Sequence, residues 1–186
     1  MLPPTTDNLL LGRQLRCPEG ALAKEVGAYI FASNRNMIDC LPLLQTKQLL
    51  EIGFGNGAHL PYLFAKAPHL HYTGIERSEA MIADATALNT ELVEQGKAVF
   101  LHALTEELPP LPYESFGVCF CVNTYYFITN LRAYFAQVYS LLRQGGSFVL
   151  GAIGKEFGEC MPFTKEVFTF YTSDQLRELL LSVGFT

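Results

Sequence analysis

Four residues in one short stretch carry the chemical signal. They are Glu51, Gly53, Gly55 and Gly57 of "LLEIGFGNGAHL", an acid two residues ahead of three alternating glycines. Gly53 and Gly55 can take positive φ and put no Cβ between backbone and ligand, while Gly57 lets the following helix pack close to its strand. Such a loop admits a cofactor. The string "GFGNGA" also satisfies the permissive dinucleotide pattern that allows Ala in its last position. Glu51 shifts the reading, because a carboxylate there can anchor an ammonium or hold the loop's own amides, and neither role suits a pyrophosphate. A cationic ligand is favoured. Glu76 follows Gly57 by 19 residues, where a strand-end carboxylate can accept hydrogen bonds from both hydroxyls of an adenosine ribose. Met81 can cover one face of an adenine.

These residues need a scaffold, and the order of elements supplies it. Leu22, Val26, Tyr29 and Ile30 recur at helical spacing within Glu19 to Ala32, and Ser33 or Asn34 can cap a second helix reaching Leu44. "KQLLEI" reads as a buried strand stopped by Gly53, and Ala58 to Ala67 as a helix with Pro61 in its first turn. "LHYTGIE" is a second strand. Ser78 to Glu94 is a helix with Met81, Ile82, Ala85, Leu88, Leu92 and Val93 on one face. "KAVFLH" and "FGVCFCVN" are the third and fourth strands. Asn130 then caps a helix through Leu142, closed by Gly145 and Gly146 before the strand "SFVLGAI". A last helix runs from Ser173 to Val183 and stops at Gly184.

Strands alternating with helices specify a parallel sheet, because a parallel connection must cross one face. The expectation is a doubly wound, Rossmann-like α/β sheet in order 3-2-1-4-5, with the glycine loop at the switch point. With 186 residues, one domain is expected. Its residues 1–45 would form an N-terminal helical lid and 46–186 the cofactor-binding core.

Composition narrows the partners. The hydrophobic fraction is 49% and the charged fraction 17%, with no uncharged apolar run long enough to span a bilayer. The start lacks the features of a secretory signal, so no membrane partner and a cytoplasmic location are expected. Net charge is −5, and the 13 Lys and Arg form no stripe along which a phosphate backbone could lie. Nucleic acid is not expected as a partner. Cys17, Cys40, Cys119, Cys121 and Cys160 lack the short paired spacings of a zinc site or a disulfide framework. They read as reduced thiols, mostly buried, with Cys119 and Cys121 on one side of a central strand. His69 and His71 share a strand face without a third ligand, so no metal is expected. His59 and His102 read as surface or loop residues at the edge of the pocket.

The stretches "LLEIGFGNGAHL", "YTGIERSEAMIADA", "HALTEELPPLPYESFGVCFCVNTYYF" and "LRAYFAQVYSLLRQGGSFVLG" together resemble the successive motifs of the class I S-adenosylmethionine-dependent methyltransferases. The resemblance covers Leu49 to Gly184. It implies S-adenosylmethionine as cofactor, with Glu51, Gly53, Phe54, Gly55 and Gly57 on its methionine side and Glu76 on its ribose. Arg77 and Met81 would flank the adenine, and Asn123 would lie near the amino group and the transferred methyl. Two departures stand out. Ala103, Leu104 and Thr105 replace the family's frequent Gly-Asp-Ala, leaving Leu104 and the Thr105 amide beside the adenine. The family also adds a C-terminal strand hairpin after "SVGFT", where this sequence stops at Thr186. The strand "SFVLGAI" would then be an apolar sheet edge, covered by a second copy in a homodimer or by further chain.

The expected activity is methyl transfer to a small-molecule acceptor. Tyr125, Tyr126 and Phe127 would wall its pocket, and "CMPFTKEVFTFYT" would close the other side. No catalytic residue is assigned, since the donor arrives activated and positioning can supply much of the rate. Two alternatives share the fold. One is an NAD-dependent oxidoreductase, against which Glu51 and the absence of a Tyr-x-x-x-Lys dyad argue. The other is a non-catalytic binding or assembly domain.

Overall fold

The computed structural model describes residues 33–104, 107–160 and 168–186. The helix expected over Glu19 to Ala32, Cys17, Thr105 and part of "CMPFTKEVFTFYT" lie outside the described residues.

Five parallel strands form the centre. They are β1 (Gln48–Ile52), β2 (His71–Glu76), β3 (Ala98–His102), β4 (Phe116–Val122) and β5 (Leu142–Gly151), in the order β3-β2-β1-β4-β5. The expected sheet order holds. β1 is buried on both faces from Leu49 to Ile52, which is why its sequence runs apolar without alternation. Glu51 is the exception, and it pairs in register with Gly74 of β2 and Phe120 of β4.

Helices cover both faces. Residues 33–40 form α1, followed by α2 (Leu60–Lys66), α3 (Glu79–Leu88), α4 (Thr90–Glu94), α5 (Leu131–Leu141), α6 (Lys155–Glu159) and α7 (Ser173–Ser182). Leu49, Tyr72, Val118 and Phe120 pack against Ile38 of α1, Leu60 and Leu63 of α2 and Ala85 of α3. Leu50, Ile52, Ile75, Cys119 and Cys121 pack on the other face against Tyr134, Phe135 and Val138 of α5. The crossovers on the two sides of β1 therefore use opposite faces, which makes the β1/β4 boundary the switch point.

Several boundaries differ from expectation for local reasons. Ser33 and Asn34 lie inside α1 instead of capping it, and α1 ends at Cys40 because Pro42 forces its predecessor out of helical geometry. A short 3-10 turn, Leu43–Gln45, follows. The helix expected over Ser78 to Glu94 is two helices broken at Asn89, and Leu88 faces solvent. α5 is capped by Asn130, as expected, but ends at Leu141. Leu142 already pairs with Phe116, and residues 143–146 bulge out before Ser147 resumes pairing with Val118. Gly145, at φ +72, thus turns a bulge inside β5 and does not close a helix. β5 stops at Gly151, so Ala152 and Ile153 lie beyond it. α7 begins with a full capping box between Thr172 and Gln175.

Candidate functional site

All three loop glycines adopt the left-handed region, Gly53 at φ +80, Gly55 at +62 and Gly57 at +64. The turn has the shape their spacing implied. Gly53 is also crowded, because a Cβ there would lie 2.5 Å from Thr124 Oγ1. Thr124 stands just past β4 and shares its hydroxyl proton between the carbonyls of Ile52, at 3.2 Å, and Val122, at 3.1 Å. It ties the carboxyl ends of β1 and β4 together beside the loop. The Phe54 ring turns into the core, 4.9 Å between centroids from Phe100, so only its backbone borders the loop surface.

The two acids divide the work between them. Glu76, buried at the end of β2, accepts from the Gly55 amide at 3.0 Å through Oε2 and from the Ser78 amide at 2.9 Å through Oε1. It is Glu76 that holds a loop amide. Each of its oxygens keeps a second lone pair for a further donor. Glu51 accepts no loop amide; its Oε2 takes the Tyr72 hydroxyl at 2.6 Å and His59 Nε2 at 2.8 Å. Burial first, and then the Glu51 charge, push the Tyr72 hydroxyl well above its ordinary range, so it remains a donor. His59 is buried too, at the start of α2, and not on the surface as its loop position suggested.

Asn89 explains the broken helix. Its buried amide donates to the Gly57 carbonyl at 3.1 Å and to the Ala85 carbonyl at 2.9 Å, clamping the last loop glycine to α3. Arg77 and Leu104 are exposed and Met81 is half-buried, at the ends of β2 and β3 and the start of α3. His102, also exposed, bonds the Arg77 carbonyl at 3.0 Å.

Beyond β4, Asn123 sits at φ +55, an uncommon conformation for a residue with a side chain. Its backbone amide donates to the Gly151 carbonyl at 2.8 Å, and its Oδ1 accepts from the Tyr126 hydroxyl at 3.1 Å. That hydroxyl in turn accepts from the Ile153 amide. Tyr126 is therefore a buried support for Asn123 and not a pocket wall. Tyr125 is equally buried, 4.3 Å between ring centroids from Tyr126, and half-buried Phe127 packs on Phe168. Tyr126 belongs to the core, whereas Tyr125, although buried, borders a cleft past β5.

Beside Asn123 the wall comes from α1. A cleft of about 290 Å³ lies between Ser33, Asn36, Met37 and Cys40 of α1 and Val122, Asn123, Gly151 and Ala152 at the strand ends. α1 is fastened to α2 by Asp39, which accepts from Tyr62 at 2.7 Å and pairs with Lys66. The Lys66 bond, then the Tyr62 bond, hold the Asp39 carboxyl below its ordinary range. A second cleft, of about 370 Å³, lies past β5 between Ile153, Lys155, Leu176 and Arg177. His69 bonds the carbonyls of Leu43 and Thr46, and no cluster of three metal-ligating side chains occurs among the described residues. Among them too, no helix is long and apolar enough to cross a membrane.

The comparisons with known proteins agree with this geometry. Residues 50–150 match the model of a methyltransferase domain family, more than half of the chain. The chain belongs to the class I methyltransferases. The cofactor of this family is S-adenosylmethionine. A methyltransferase solved in complex with the Trm112 methyltransferase activator of Haloferax volcanii is 15% identical, with a TM-score of 0.76, over 96% of this chain and 76% of that one. An S-adenosylmethionine-dependent methyltransferase of Mesorhizobium loti is 17% identical, with a TM-score of 0.69, over 81% of this chain and 80% of that one. One from Thermotoga maritima is 24% identical, with a TM-score of 0.61, over 84% and 71%. No significant match was found among curated proteins.

The sequence reading of the family site missed five supports: Asn34, His59, Tyr72, Asn89 and Thr124. Asn89 carried a signal, since an amide beside a β-branched Thr90 in mid-helix competes with helical hydrogen bonding. The others become visible only when the fold brings distant segments together.

Proposed function

We propose that this methyltransferase transfers a methyl group from S-adenosylmethionine to a small-molecule acceptor held in the cleft beneath α1. The cleft itself carries the proposal. At about 290 Å³ it lies at the low end of small-molecule sites, and no charged side chain among the described residues lines it. A phosphate-rich polymer finds no partner there, in keeping with the net charge of −5.

The residues present fit the cofactor. Three positive-φ glycines leave the loop backbone bare, and Glu76 keeps lone pairs for the two ribose hydroxyls. Glu51 Oε1 accepts no hydrogen bond from a described residue, which leaves it for the ammonium. When bound, the cofactor supplies a sulfonium methyl that is already electrophilic. The chain's part is positioning. Gly53, Gly55, Gly57 and the Phe54 backbone would cradle the methionine side, while Arg77, Met81 and Leu104 would flank the adenine. Asn123, held by Tyr126, and Ser33 and Asn36 of α1 orient the acceptor. α1 acts as a lid that excludes water from the reacting pair.

Membership of the methyltransferase family favours this reading over a nicotinamide-dependent oxidoreductase. A protein partner is a second element of it. The Haloferax volcanii protein, whose match spans 96% of this chain, is bound to an activator. β5 pairs only with β4 among the described residues, and a second copy would cover its free edge. A monodisperse monomer in light scattering would remove the dimer. The proposed location is the cytoplasm. The test of function is a methyl-release assay against a panel of uncharged and amine metabolites. Turnover of one of them supports the small acceptor, whereas turnover only of nucleic acid or protein contradicts it.

A further inference from the structure

Glu51 is the end of a buried hydrogen-bond chain that the proposed function does not use. Asn34 of α1 donates its amide to His59 Nδ1 at 3.2 Å, and His59 Nε2 donates to Glu51 Oε2 at 2.8 Å. Tyr72 of β2 adds a second donor to the same oxygen at 2.6 Å. All four side chains are buried. An acceptor role for Nδ1 fixes the neutral tautomer with its proton on Nε2, so every bond points toward Glu51. Oε2 is thereby saturated, while Oε1 accepts nothing from a described residue.

No Lys or Arg of the described residues pairs with this carboxylate; His59 is its single ion-pair candidate. A buried carboxylate held by neutral donors keeps its charge available for a cation from outside. Without those donors the carboxylate loses its anchor, and the second oxygen no longer has a defined direction.

We propose that His59 and Tyr72 are positioning residues that aim Glu51 Oε1 at the amino group of the cofactor's methionine moiety. Asn34 extends the device to α1, so the aim of the acid depends on the seating of the lid. The inference rests on the cofactor reading above and assigns recognition of one chemical group, an α-ammonium, to a three-residue support.

Two ligands separate positioning from mere stability. S-adenosylhomocysteine carries the amino-acid tail, and 5′-methylthioadenosine has the same adenosine without it. Calorimetry on the full chain is expected to show Tyr72→Phe, which keeps the ring, weakening S-adenosylhomocysteine about 5- to 15-fold. Binding of 5′-methylthioadenosine stays within about twofold of wild type on the same ground. His59→Gln, whose amide can still donate, retains more of that selectivity than His59→Leu. Equal losses for both ligands, or an unchanged affinity ratio in folded Tyr72→Phe, overturn the positioning role. A wild-type chain that binds 5′-methylthioadenosine but not S-adenosylhomocysteine overturns the role of Glu51 itself. Binding of neither ligand by wild type overturns the cofactor reading instead.

Discussion

A Cβ on Gly53 would stand 2.5 Å from Thr124 Oγ1, the hydroxyl that joins the carboxyl ends of β1 and β4. Two costs meet at this glycine, its φ of +80 and the contact. Gly53→Ala is expected to destabilise the fold by about 2 to 4 kcal/mol, combining left-handed strain with overpacking. Gly55 has nothing within 4 Å of its would-be Cβ, so Gly55→Ala pays the strain alone, about 1 to 2 kcal/mol. Urea unfolding measures both. Adding Thr124→Ala to Gly53→Ala should recover the contact part and leave the φ part.

Glu76 joins loop, strand and helix through two amides. Glu76→Gln keeps the size but removes the charge and one acceptor. The expected result is a loss of about 10- to 100-fold in affinity for S-adenosylhomocysteine, the range of a charged hydrogen bond. Because the ribose is shared, 5′-methylthioadenosine should weaken equally. Parallel calorimetry checks this, and a loss confined to the amino-acid-bearing ligand would remove Glu76 from the ribose.

Asn89 is buried with its amide on Gly57 and Ala85 and its Oδ1 without a partner. Asn89→Ala removes one of the two donors to the Gly57 carbonyl and leaves the Leu60 amide at 3.1 Å as the other, at a cost of about 0.5 to 1.5 kcal/mol. Amide exchange should speed up across Gly55 to Ala58 more than in β4. Uniform change across the sheet would mean that Asn89 supports α3 and not the loop.

The cysteines divide by burial. Burial pushes the Cys121 thiol up to about 12 and raises Cys119 further, whereas Cys40 and Cys160 are exposed. Thiolate is the reactive form, so iodoacetamide near neutral pH should label Cys40 and Cys160 and spare Cys119 and Cys121. Mass spectrometry reads the sites. Cys40 lines the cleft, so its modification should also lower methyl transfer.

The sheet order was legible because hydrophobic strands alternating with amphipathic helices leave few topologies. The shape of the glycine loop and the placement of its two acids were legible for a similar reason: glycine spacing and strand-end acids act at fixed positions on the chain. Tyr126 misled, since residue type alone does not say whether an aromatic ring near a strand end faces a cleft or the core. His59 was misplaced because its partner lies eight residues back across a turn, and only the loop's shape brings its ring onto Glu51. The bulge in β5 was hidden by Gly145 and Gly146, which serve a helix end and a strand irregularity equally well.

The most direct measurement is calorimetric titration of the full chain with S-adenosylhomocysteine, with NAD as the control ligand. A site built from Glu51, the three glycines and Glu76 predicts micromolar binding of S-adenosylhomocysteine, weakened about 10- to 100-fold in Glu76→Gln, and no comparable binding of NAD. Binding of NAD alone, or S-adenosylhomocysteine binding indifferent to Glu51 and Glu76, would contradict it.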